Sequence, residues 1–187
     1  MTRLTWDERP YHEGISQVVL YGDQPHAWSG VESLTPETEI VQTPRHQDGF
    51  ALPPRTTPGE YTGIITSYSF PKELDDSAVS GRGIRTSDKT FGLSFIEGDY
   101  LHLFYNLTMR YEGREEVSLQ NDPTVAVFTW NFQGKPVAIP GHAHSCHVAI
   151  EMSAAHPDTL MALLNVLYGT DQEEATLPSP ADILAMF

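Results

Sequence analysis

The sequence predicts a mainly β fold, an α+β chain built as a sandwich or barrel with one packed helix. Three observations carry this. Segments rich in β-branched and aromatic residues recur along the chain, bounded by turn residues. Two of them, flanking Gly98-Asp99, are apolar on both faces. Only one long stretch has helical periodicity, residues 156–169 (HPDTLMALLNVLYG).

Residues 18–21 and 31–40 read as weaker strands and residues 60–70 (EYTGIITSYSF) as a strong one. Residues 90–96 (TFGLSFI) and 100–109 (YLHLFYNLTM) form a hairpin, because Gly-Asp between two such runs is a turn signal. Residues 124–132 (TVAVFTWNF) lead to a turn at Gln133-Gly134-Lys135, and a last strand covers about 145–152. Strict alternation sends Leu101, Leu103, Tyr105 and Leu107 to one face of the hairpin. Phe104 goes to the other face, with Phe91, Leu93 and Phe95. A sheet with one solvated face does not look like this, so a helix or another subunit must cover the second face.

The helix over 156–169 has Pro157 at its first position, Asp158 at its positive end and Gly169 as its stop. Leu160, Leu163, Leu164 and Leu167 make one stripe for packing on a sheet. Residues 179–187 (SPADILAMF) predict a short closing helix, capped by Ser179 with Pro180 next. A helix this short is unstable alone, so Ile183, Leu184, Met186 and Phe187 must dock on this subunit or a neighbour. Residues 41–59, with Pro44, Pro53, Pro54 and Pro58, and residues 77–88 are expected to lack regular structure. A loop as long as the first is usually functional or disordered.

A chain of 187 residues, 40% hydrophobic, is one domain's worth. The single cysteine excludes an intrachain disulfide framework. The start, MTRLTWDERP, lacks an apolar signal region, and no apolar run approaches the ~20 residues of a membrane span, so no membrane insertion is expected. Lys and Arg total 11 against 25 Asp and Glu, a net charge of −14. Such a surface does not grip nucleic acid by neutralising phosphates. It suits solubility, or a protein that touches DNA without holding it.

The stretch PGHAHSCH (140–147) concentrates three histidines and the only cysteine. On an extended strand His142 and His144 would share a face, ~6.8 Å apart, with His147 on the other. Two such histidines need a third and usually a fourth ligand to hold zinc, and the spacing of His102, His156 or Glu151 favours none of them. The plainer reading is a strand entering at a sheet rim. Cys146 sits among apolar positions, where a thiol is usually inert. No Gly-x-Ser-x-Gly elbow occurs, and Gly81-Arg82-Gly83 is only a fragment of a phosphate loop. No catalytic residue, cofactor or resident metal is expected, and the chain is not read as an enzyme. The alternative is a metal-dependent β-barrel enzyme using His142 and His144.

The order of segments adds more than any one of them. LTWDE (4–8), YHEGI (11–15), VLY (19–21), AWSGVESL (27–34), GEYTGIITSYSFPKEL (59–74), KTFGLSF (89–95), YLHLFYN (100–106), NDPTVAVFTWNF (121–132), LYGT (167–170) and LPSPADILAMF (177–187) follow one another along nearly the whole chain. In that order the chain resembles the major tail proteins, or tail tube subunits, of long-tailed (siphovirus-type) bacteriophages, particularly a group common among phages of actinobacteria. It departs from their pattern in the short hairpin between Phe95 and Tyr100, and in the histidines at 142, 144 and 147.

The resemblance implies a single tail tube domain over 1–187, whose strands join a continuous inner β-barrel in a homohexameric ring with a helix packed outside. Rings stack into the tail tube, the conduit for DNA delivery. It further implies arms at about 1–20 and 177–187 and a long loop at about 41–59 that make the contacts between subunits. Phe50, Leu52 and Arg55 in the loop and Ile183, Leu184, Met186 and Phe187 at the end are the candidates. The implied partners are other copies of the chain, a tape measure protein, tail-tip or baseplate and tail terminator proteins, and genomic DNA passing without specific binding. The implied location is the virion tail, after synthesis in the host cytoplasm. Six copies at −14 each would give an acidic conduit, screened over ~8 Å. A tube subunit of a contractile injection system would share this logic.

Overall fold

The Gly98-Asp99 hairpin is the centre of the fold. Strands β5 (Phe91–Glu97) and β6 (Tyr100–Arg114) pair from Glu97↔Tyr100 back to Phe91↔Leu107. Gly98 takes φ 57°, the left-handed value a two-residue turn needs at its first central position. In this computed structural model, residues 3–6, 14–47, 50–72, 74, 89–114 and 127–187 are described. Among them eight strands form one antiparallel sheet, mainly β as the sequence predicts.

Around the hairpin lie β1 (Ile15–Tyr21), β2 (Pro25–Ala27), β3 (Val31–Gln47), β4 (Phe50–Ser67), β7 (Phe128–Gly134) and β8 (His147–Glu151). Their order is β2-β1-β5-β6-β7-β4-β3, with β8 on β6. The sheet curls, so that β1 and β3, far apart in that order, touch. The inner cluster draws Val18, Leu20, Ile65, Leu93, Phe95, Phe104, Trp130 and Phe132 from five of the strands, with Trp28 from the β2–β3 connection. Trp28 fixes the entry to β3: its backbone N–H donates to Val18 O at 2.8 Å and its indole N–H to Ser69 O at 2.7 Å.

The opposite face carries two helices, α1 (Pro157–Tyr168) and α2 (Pro180–Met186). The boundaries of α1 follow its caps, His156 before Pro157 and Gly169 at φ 75° after Tyr168. Leu163 and Leu167 are fully buried against Val19, Tyr21, Leu101, Leu103 and Tyr105. Each such leucine contributes about 1.5–3 kcal/mol of burial. The Tyr21 hydroxyl donates to Leu167 O at 2.9 Å and lies 3.1 Å from Ser94 Oγ, tying helix to sheet. Burial, opposed by the Ser94 hydrogen bond and helped by Tyr168 and Tyr105, pushes the Tyr21 phenol far above its ordinary range.

Five expectations change. Leu107 does not share a face with Leu101, Leu103 and Tyr105; it lies in the inner cluster with Phe104. Asn106 takes φ 51° and forms a bulge, which adds a residue and reverses the alternation beyond it. The last strand begins at His147, not Ser145. The proposed start of β7 at residues 124–126 lies outside the described residues, as do residues 77–88; β7 continues through Gln133 to Gly134. Residues 15–20, expected within an N-terminal arm, form β1 and bury Val18, Val19 and Leu20. Finally, residues 41–47 and 50–59 are not a loop but strand.

Candidate functional site

The recovered strand in 41–59 defines the first candidate surface. β4 pairs with β7 only from Tyr61↔Gly134 to Ser67↔Phe128. Beyond Tyr61, β4 pairs only with β3 among the described strands, down to Gln47↔Phe50. The result is a two-stranded ribbon about 30 Å long. Prolines are tolerated because they fall at irregularities: Pro44 lies in the register shift between Thr43 and Arg45, and Pro58 pairs with Ile40 beside another. Phe50 closes the β4 limb and is 76% exposed, Leu52 is partly buried, Arg45 is exposed, and Arg55 pairs by backbone with Thr43. The ribbon carries Arg45 and Arg55 along its limbs, against Asp48 and, at its base, Glu39 and Glu60. A two-stranded ribbon is marginal in water, and its free edges are templates for another chain.

The C-terminal segment is the second surface. Ser179 and Asp182 close a capping box, and the Tyr105 hydroxyl donates to Pro178 O at 3.0 Å. Ile183 is buried on this subunit, so it is a docking residue within the chain. Leu184, Met186 and Phe187 stay exposed, at 43%, 36% and 54%. At the other terminus, Leu4 N–H donates to Tyr168 O and the Trp6 indole to Val18 O, so residues 3–6 also pack inward.

The PGHAHSCH stretch has a specific architectural place. One edge of β6 pairs β8 at residues 100–104 and β7 at residues 107–114, so β7 and β8 lie end to end. Residues 135–146 leave that line and return, closed by a bridge between Val137 and Ser145. Gly134 permits the fold-back, because a Cβ there would sit 2.6 Å from Cys146 Sγ. His142 and His144 are exposed in the excursion rather than side by side on a strand. Among the described residues no three His, Cys, Asp or Glu side chains are grouped to hold a metal ion. Burial raises the pKa of the Cys146 thiol.

His147 instead pairs with His102, Nε2 to Nδ1 at 2.9 Å, one ring donating and the other accepting. His102 stacks on Phe95 and His147 on Phe104, with Tyr61 5.5 Å from the His147 ring where the ribbon leaves the sheet. Burial, with His102 adding, pushes His147 down to about 4; burial also lowers His102, opposed by Glu97 at 3.8 Å. Sequence spacing did not show this pair, because it forms across the β6–β8 register.

A third surface is a cleft of about 440 Å³ at the far end of the sheet, between the turn at 22–24, the start of β5 and residues 174–177. Tyr21, Phe91 and Tyr105 line its depth, and Asp23 and Glu174 its rim. Gly92 makes it narrow, since a Cβ there would sit 2.3 Å from Leu177 Cδ2. The Thr170 hydroxyl accepts from Gln172 N–H and Glu173 N–H, which holds the acidic 171–174 turn in shape.

No family model and no curated protein sequence matches this chain. Among solved structures it is similar to a chain of the anti-feeding prophage (AFP) baseplate, with TM-score 0.44, 9% identity, and 77% of this chain and 96% of that chain covered. It is also similar to a chain of an extracellular contractile injection system, the PVC sheath-tube complex in its extended state. There the TM-score is 0.41, the identity 12%, and the coverage 76% and 93%. At such values the likeness fixes neither the fold nor the role of this chain.

Proposed function

We propose that this chain is a structural subunit of a phage-type tail tube, assembling with its own copies into stacked hexameric rings around a DNA conduit. The β3–β4 ribbon is the observation that carries this reading. It projects from the sheet and leaves Arg45 and Phe50 exposed. An isolated monomer gains little from building such an element. The exposed Leu184, Met186 and Phe187 supply a second apolar surface. The order of segments shared with tail tube subunits supports the same reading, and the charge of −14 suits a wall past which DNA slides. The single-domain organisation over 1–187, the tape measure, tail-tip and terminator partners, and the virion tail location belong to this proposal.

Negative-stain electron microscopy across a concentration series tests it. Rings or tubes with a central channel are expected. Compact monomers at every concentration would overturn the reading.

A further inference from the structure

Resting on that assembly reading, we propose that the acidic cleft is the receptor for the ribbon tip of a second copy of this chain, with Arg45 and Phe50 of one copy meeting Glu174 and the cleft of the next.

The two surfaces lie at opposite ends of one sheet. β1 begins beside the hairpin turn, where Gly98 N–H donates to Gly14 O, and ends at the 22–24 turn on the cleft rim. The ribbon leaves the sheet at Tyr61, level with Gly134 and Leu107, and runs toward the hairpin-turn end. Tip and cleft therefore point away from each other, so contact between them is heterologous. It makes a head-to-tail stack rather than a closed pair.

The chemistry matches. Arg45 and Glu174 are both exposed, and among the described residues neither has an ion-pair partner. Asp23, by contrast, is held by Lys89 at 2.6 Å, so Glu174 is the rim acid left to recognise a cation. Aromatic walls suit a guanidinium and a phenyl ring together. The cleft admits one or two large side chains, not a whole strand. Its acidic turn and the Leu177 wall are already held in place before docking.

The test is a charge swap in the full chain, read as the concentration at which rings or tubes appear. Arg45→Glu and Glu174→Arg should each raise that concentration about tenfold. The double variant should return to within about threefold of the wild type, because the pair is restored with its signs exchanged. Both sites are exposed, so unchanged thermal unfolding is expected. If the wild type assembles and either single variant assembles equally well, or the double is no better than the worse single, the docking assignment falls and the tube reading stands. If the wild type never assembles, both fall.

Discussion

At the scale of single residues, two positions show how much one backbone angle or one absent methyl controls. Gly63 lies where β3, β4 and β7 meet; a Cβ there would sit 2.4 Å from the Phe132 ring and 2.6 Å from Thr35 O. Gly63→Ala should therefore cost about 1–3 kcal/mol, seen as a lower denaturation midpoint. An unchanged midpoint would mean the three strands do not meet there. Asn106 is the other position. The sequence could not reveal that it bulges, because asparagine is as much at home in a strand end as in the left-handed region it adopts. Hence alternation put Leu101, Leu103 and Tyr105 together on one face, as found, and misplaced Leu107.

The histidine pair makes a pH prediction. His147 titrates near 4 in the folded chain and near its ordinary 6.5 when unfolded. The unfolded state therefore takes up its proton first as pH falls. The stability is complete above about pH 6.5 and declines from there toward 4. Between pH 7.5 and 5 the loss should be on the order of 1–2 kcal/mol, after discounting for partial exposure. His147→Phe should remove that part of the pH dependence. Thermal melts of both proteins at the two pH values check it, and equal slopes would contradict the pairing.

Among elements, those with local punctuation were legible. Pro157, Asp158 and Gly169 mark the ends of α1, and Ser179 with Pro180 marks α2. Ser179→Ala should cost about 1 kcal/mol through loss of the capping box. Removing residues 179–187 should do more, because it strips Ile183 from the packed face and leaves Leu163 and Leu167 less covered. Both a lower melting temperature and weaker assembly are expected; a truncation that melts and assembles like the full chain would contradict the docking of α2. The ribbon was not legible because its prolines outweighed the one hairpin signal present, Asp48-Gly49 between Gln47 and Phe50. The prolines proved compatible with strand because they fall at register shifts or on limbs that lack a further partner.

For the whole molecule, the proposed docking of the ribbon in the cleft at the opposite end of one curled sheet would make a small β domain a unit that propagates. The mainly β class followed from residue types, while the direction of the ribbon depends on register across four strands, which no local pattern encodes. The net charge of −14 belongs to this scale. It predicts no measurable binding to duplex DNA at ~0.15 M salt, and a filter-binding assay giving micromolar affinity would contradict the acidic conduit.

The most direct measurement compares the wild type with a variant in which residues 41–58 are replaced by Asn-Gly, both imaged by electron microscopy at matched concentrations. Rings or tubes are expected for the wild type and a folded, unassembled monomer for the variant. Tubes formed equally by both would contradict the claim that the ribbon builds the assembly.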